Sequence, residues 1–170
     1  MDKRWILIII IAIIGIGCLY LIVESSNVVG SANSNIDKFI ITIPDSFNIE
    51  KSTSDELRLI NRANGERINI VYLGKGSDMN QNISDKMEAL YENENITIMK
   101  NTKIKINNET LPSIYFEKLP NNSINQIAFL TKFNHKFSIE CSNFKDNATI
   151  KEKIEQINET LKKDFKQKQD

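Results

Sequence analysis

Residue types that commonly perform catalysis or bind metals are scarce in this sequence. It contains a single histidine, His135 in "KFNHKF", and two cysteines, Cys18 and Cys141. Asn and His tolerate the positive φ of a tight turn, so His135 is predicted at the tip of a hairpin. Cys141 shares a strand face with Phe137 and Ile139, which predicts a buried structural thiol. A closed zinc site or a Ser-His-Asp triad is therefore not expected.

Two other patterns suggest chemistry at first sight. The stretch "GKGSD", residues 74–78, joins a predicted strand to a predicted helix, and the N–H groups at a helix start attract anions. It lacks the phosphate-loop pattern, and we interpret it as a turn. Glu109 and Glu117 could meet across a hairpin, but we interpret them as solvated carboxylates. The sequence therefore assigns no catalytic, cofactor-binding or metal-binding residue, and no cofactor is expected.

The sequence contains several motifs for asparagine-linked glycosylation. The motif N-x-[ST] occurs six times, at Asn82, Asn95, Asn108, Asn121, Asn147 and Asn158. These residues are acceptors only if this part of the chain lies outside the membrane in a host that glycosylates asparagine. The alternative, an asparagine-rich chain whose motifs are unused, stays open. Asn108 and Asn121, in predicted turns, are expected to be the most accessible.

An uncharged run of 19 residues near the start, "WILIIIIAIIGIGCLYLIV", determines the compartment. At about 1.5 Å per residue, residues 5–23 are predicted to form a helix long enough to span the ~30 Å hydrocarbon core. A cleaved signal peptide would have a shorter apolar region, and its nearest cleavage site, Gly30-Ser31-Ala32, comes late. A lipoprotein would use Cys18, but Gly15 stands where a large aliphatic residue is expected. We interpret the run as a retained anchor; the cleaved and lipidated forms remain alternatives.

Charge around the run predicts its orientation. Lys3 and Arg4 precede it, and no basic residue follows until Lys38, so the body is expected outside the membrane. The predicted organisation is a cytoplasmic tip (1–4), a transmembrane helix (5–23), a flexible linker (24–37) and an extracytoplasmic α+β domain (38–170). The protein is thus predicted to be a single-pass protein of the cell membrane, with its N-terminus in the cytoplasm.

The overall charge excludes one class of partner. Without the first four residues the chain carries 20 Lys+Arg against 21 Asp+Glu, so no basic field exists to bind nucleic acid. The roughly 130 residues after the linker suit one domain with one core.

Hydrophobic periodicity predicts an antiparallel sheet covered by helices. Strands are predicted near 39–43, 57–61, 67–73, 96–99, 103–106 and 113–119, and a last hairpin turns at Asn134-His135. One helix starts after Ser77 or Asp78. A closing helix carries the stripe Ile150, Ile154, Ile157, Leu161 and Phe165 behind a capping box of Thr149 and Glu152. Lysines at its end are expected to suit the helix dipole. The clustering of strands predicts an α+β fold.

The order of these segments resembles the PsbP-like family. It runs from "FIITIPDSF" through an Asn-Gly hairpin, a helix, "IKINNETLPSIYF" and "AFLTKFNHKFSIECS" to "IKEKIEQINETLKK". The similarity covers roughly residues 38–165 and implies an α-β-α sandwich, a fold also found in membrane-anchored prokaryotic proteins. The resemblance further implies a non-catalytic protein that binds partners or helps to assemble membrane complexes.

The function expected from the sequence is therefore binding. The membrane is one partner, through residues 5–23, and an envelope or membrane protein, a lipid or an envelope polymer is the other. Two alternatives stay open: a small envelope enzyme with an unfamiliar site, and a secreted or lipidated form released from the anchor.

Overall fold

Alternating apolar residues and tight turns build a seven-stranded antiparallel sheet in this computed structural model. The model describes residues 33–36 and 39–163; the predicted tip, the predicted membrane helix and Phe165 lie outside them. The sheet order is β3-β4-β5-β9-β8-β7-β6. Its strands are β3 Asn48–Ser52, β4 Glu56–Ile60, β5 Arg67–Lys75, β6 Ile96–Ile106, β7 Glu109–Lys118, β8 Ser123–Lys132 and β9 His135–Phe144.

Short turns with positive φ connect the hairpins. Gly65 (φ 78°) lies between β4 and β5, and Asn107 (φ 49°) between β6 and β7. Phe133 and Asn134 (φ 53° and 63°) form the two-residue loop between β8 and β9, and Lys132 pairs with His135. Both central residues of such a loop take positive φ. The prediction of His135 at the turn tip is therefore wrong by one residue, because His135 is the first residue of β9.

Two helices cover the sheet, and each is capped by an aspartate. In α1, Met79–Tyr91, Asp78 accepts a hydrogen bond from the N–H of Asn80 at 2.9 Å. In α2, Asn147–Thr160, Asp146 accepts from the N–H of Thr149 at 2.7 Å. The predicted capping box of Thr149 and Glu152 is wrong, since Asp146 is the cap and the Thr149 hydroxyl donates to it. A carboxylate at this position also complements the helix dipole.

The two helices lie on opposite faces of the sheet, and each covers its own apolar cluster. Against α2 lie inward-facing residues of β4, β5, β8 and β9 with the predicted stripe of Ile150, Ile154, Ile157 and Leu161. Leu90 of α1 packs with Ile114 and Phe116 of β7 and with Ile127 and Phe129 of β8. β8 is buried on both faces over most of its length. The predicted antiparallel α+β architecture, a sheet flanked by helices, is confirmed.

A second, three-stranded sheet of order β1-β2-β10 packs on the α2 side. It consists of β1 Asn33–Ile36, β2 Phe39–Thr42 and β10 Lys162–Lys163. The predicted linker, 24–37, wrongly included all four residues of β1, which pairs with β2 and buries Ile36 completely. Lys162, one of the lysines expected at the end of the closing helix, lies beyond it in β10 and pairs with Ile40.

Like β1, β3 has no counterpart among the strands predicted from the sequence. All five residues of β3 are exposed, so no apolar alternation marks it. Within the part of the chain that the model describes, no helix has the length and apolar composition needed to cross a membrane.

Candidate functional site

A groove of about 560 Å³ opens between the N-terminal part of α2 and the outer strands of the large sheet. We call it the β6 groove. It is lined by residues 100 and 102–105 of β6, by Tyr115 and Glu117 of β7, by Gln126 of β8, and by Asn147 and Lys151 of α2. Antiparallel pairing builds it: Lys100 lies opposite Tyr115, and Tyr115 lies opposite Gln126.

The floor of the β6 groove is a chain of hydrogen-bonded side chains. Ser113, 1% exposed, lies opposite Thr102, and their hydroxyl oxygens are 2.8 Å apart. The side-chain amide of Gln126 donates to the same Ser113 oxygen at 3.1 Å. Satisfied polar networks of this kind hold side chains in one arrangement. The floor is therefore both polar and pre-organised.

Tyr115 and Glu117 form the acidic part of the groove wall. The Tyr115 hydroxyl donates to Glu117 Oε1 at 2.6 Å. This hydrogen bond to the carboxylate, together with burial, raises the pKa of Tyr115 to about 12. At neutral pH the phenol therefore stays protonated and serves as a hydrogen-bond donor.

Most charged residues of the lining are cationic. Four exposed lysines contribute to it, Lys100, Lys103, Lys105 and Lys151, and Glu117 is its single carboxylate. Lys100 lies on the same sheet face as Tyr115 and Glu117, and Lys103 and Lys105 alternate to the other face of β6. The carboxylate of Asp146 lies next to this lining in sequence, but it is occupied by its hydrogen bonds to Thr149. A locally positive groove on a nearly neutral chain favours anionic ligands.

This site was missed in the sequence interpretation, and the signal for it was weak. The lysines of β6 alternate in "MKNTKIKI", which is also usual for a solvated strand. Tyr115, Gln126 and Lys151 come from three other elements, so their proximity depends on strand register and on the position of α2.

His135, the first residue of β9, lies among aromatic rings. Its Nδ1 is 2.8 Å from the hydroxyl of Tyr72, and its ring meets Phe39 edge-on at 4.8 Å between centroids. Phe133, from the neighbouring turn, stacks on Phe39 at 6.3 Å. The imidazole is thus held in a partly buried position by ring packing and by its contact with Tyr72, an arrangement that stabilises the hairpin end.

The remaining residues singled out from the sequence are not brought together. Cys141 is fully buried, as predicted, and burial raises the pKa of its thiol. Glu109 and Glu117 stand at the two ends of β7, so the suggestion that they meet across a hairpin is wrong. In residues 74–78, Gly74 and Lys75 complete β5 and Asp78 caps α1. Among residues 33–36 and 39–163, no group of three His, Cys, Asp or Glu side chains could hold a metal.

The candidate glycosylation residues occupy different environments. Asn95, Asn108, Asn121 and Asn147 are exposed, while Asn82 and Asn158 are partly buried on the helices. The side-chain amide of Asn82 also donates to the Ser77 hydroxyl at 3.3 Å. Use of these residues as acceptors stays a prediction.

Comparison with known proteins yields likenesses at low similarity. No protein-family model matches the chain, and no curated protein does. A crystal structure of a protein from Bacteroides thetaiotaomicron VPI-5482 is similar, with a TM-score of 0.47 and 14% identity; the match covers 74% of this chain and 45% of that chain. The solution structure of cyanobacterial PsbP (CyanoP) from Synechocystis sp. PCC 6803 is also similar, with a TM-score of 0.46 and 8% identity over 75% of this chain and 87% of that chain. At these values neither likeness carries a conclusion about ligand, activity or partner.

Proposed function

We propose that this chain is a membrane-anchored, non-catalytic binding protein whose partner docks in the β6 groove. Residues 5–23 hold it in the cell membrane with the N-terminus in the cytoplasm. The α+β domain lies outside, where its partner is an envelope or membrane protein, a lipid or an envelope polymer. The observation that carries the proposal is the cationic groove with its hydrogen-bonded floor.

The chemistry of the groove suits recognition better than catalysis. Its cations are exposed lysines, which attract anionic groups over a wide area. The Tyr115 hydroxyl is held as a donor by Glu117, and the Ser113 hydroxyl is buried in the floor network. These groups can orient a bound molecule through charges and hydrogen bonds, and none of them is poised as a base or nucleophile.

The anchor rests on the sequence. Nineteen uncharged residues follow Lys3 and Arg4, and the next basic residue is Lys38. This distribution places the positive end in the cytoplasm. The PsbP-like resemblance of the sequence is in keeping with a binding role for the part of the chain outside the membrane.

Site-specific photocrosslinking in native membranes tests the proposal. A photoreactive amino acid replaces Lys103, in the groove lining, or Lys75, an exposed lysine at the end of β5. Three strands separate β5 from β6, so the control lies on the order of 19 Å away at ~4.8 Å per strand. We expect a discrete adduct from position 103 alone. Equal adducts from both positions, or none, would contradict a partner site in the groove.

A further inference from the structure

We infer that the outer edge of β6 accepts an extended acidic peptide segment as an additional strand, with the groove lysines binding its carboxylates. The inference rests on the proposed function, because it names the partner of the same site. Strand addition would supply main-chain hydrogen bonds from the edge, and the lysines would select acidic side chains.

The edge of β6 is long and regular. β6 spans 11 residues at one end of the sheet order. It pairs with β7 without interruption from Ile98 to Ile106, and its one irregularity lies at the start, between Ile96 and Ile98. Its other side pairs with no strand among residues 33–36 and 39–163. A row of backbone donors and acceptors is therefore available there.

The opposite edge of the sheet differs. β3 has five residues, and a register shift between Ile49 and Lys51 interrupts its pairing with β4. Short and irregular edges resist strand addition. Of the two edge strands in the described sheet, β6 is thus the one shaped to accept another strand.

Charge complementarity identifies the occupant. Successive strand residues face opposite sides of a sheet, so Lys103 and Lys105 share one face while Lys100 lies on the other. Residues two apart are separated by about 6.6 Å, the same spacing as alternate side chains of an added strand. Lys151 of α2 lies beside the face that carries Lys100. Acidic residues on either face of the added strand would therefore meet a cation.

The same charges disfavour a second copy of this chain as the occupant. Pairing β6 with β6 across a two-fold axis would bring two rows of lysines together, and like charges opposite each other destabilise a strand pair. Lysines on an edge can also serve only to prevent aggregation. In that case an acidic peptide would not bind, so titration with such a peptide distinguishes the two roles.

The experiment uses the full chain in detergent micelles and a fluorescein-labelled peptide of four Glu-Thr repeats, followed by fluorescence polarisation. One control peptide carries Lys in place of Glu. The other is the acidic peptide with N-methyl groups on alternate residues, which keeps the charge and blocks strand pairing. The variant is K103Q/K105Q and its matched control is K75Q; far-UV circular dichroism checks that each is folded.

We expect the acidic peptide to bind the wild-type chain and K75Q equally. The K103Q/K105Q variant should bind it about five- to tenfold more weakly, and the Lys peptide and the N-methylated peptide should not bind. Addition of the acidic peptide should also slow amide exchange in β6 at N–H groups that do not bond to β7.

Several results would overturn the inference. Equal binding of the two acidic peptides would mean attraction by charge alone; the groove would remain the partner site, but strand addition would be wrong. No binding of the acidic peptide, with a discrete crosslink still formed at position 103, would reject the acidic strand and leave the proposed function standing. Loss of both binding and crosslink would reject both. A dimer that forms through β6, detected by sedimentation, would replace the peptide by a second copy.

Discussion

Removing the central hydroxyl of the groove floor tests whether the floor is a coupled network. In Ser113→Ala the side-chain amide of Gln126 loses its acceptor. Because Gln126 is only 7% exposed, water has little access to replace that acceptor. An orphaned buried amide costs on the order of 1–3 kcal/mol. Thr102 is less affected, because its hydroxyl can still donate to the Ser113 carbonyl at 3.3 Å. We therefore expect S113A to lower the free energy of unfolding by about 2 kcal/mol.

A double variant tests the coupling between Ser113 and Gln126 more directly than S113A alone. Gln126→Leu removes the amide itself, so in S113A/Q126L no donor is left without an acceptor. Replacing both partners of a hydrogen bond costs less than removing one. The loss in the double variant should therefore fall short of the sum of the single losses by about 1 kcal/mol.

Urea unfolding of the full chain in detergent, followed by far-UV circular dichroism, measures all three variants. The matched control is Ser142→Ala, a partly buried serine of β9 outside the network, with an expected change within about 0.5 kcal/mol. Additive losses in the double variant, or an S113A loss no larger than that of S142A, would refute the coupled floor.

Three further predictions follow from single contacts. In Glu117→Gln the pKa of Tyr115 should fall from about 12 towards its ordinary value near 10, measured by the absorbance of its phenolate relative to the other tyrosines. In the wild type, folding raises the pKa of Tyr115. The stability that this pair contributes is therefore complete below pH ~10 and is lost as the pH rises towards 12. Hydrogen bonds at the start of α2 hold the pKa of Asp146 below its usual range, so its contribution is present above pH ~4 and is lost as the pH falls through the lowered pKa. D146A should therefore be less stable than the wild type at pH 6 but not at pH 2, whereas D146N should keep the cap at both pH values. The urea concentrations at the unfolding midpoint, measured at pH 6 and pH 2, test this. Lys132→Met removes the ammonium that donates to the carbonyl of Asn158 and should cost about 1–2 kcal/mol, with faster amide exchange in the last turn of α2; unchanged exchange there would contradict the contact.

Local patterns in the sequence determined the elements that are stabilised locally. The turns predicted at the Asn-Gly pair, Asn64-Gly65, and at Asn108 do connect hairpins, because Gly65 and Asn107 supply the positive φ that few other residues tolerate. The apolar stripe of α2 placed the closing helix, because a period of 3.6 residues marks the face that must be buried.

Elements without a local pattern were missed or misplaced. β1 and β3 are short and rich in polar residues, so they look like loops, and only pairing with a neighbouring strand makes them strands. Strand pairing between β8 and β9 decides which two residues form their turn. It places His135 in β9, one residue after the predicted turn position.

The candidate site belongs entirely to the tertiary structure. Lys100, Tyr115 and Gln126 are separated along the chain, and the register of β6, β7 and β8 brings them side by side. The lysines of β6 were visible in the sequence from the start. They line a groove because β6 ends the sheet and the N-terminal part of α2 stands beside it, and both facts arise from packing between distant segments.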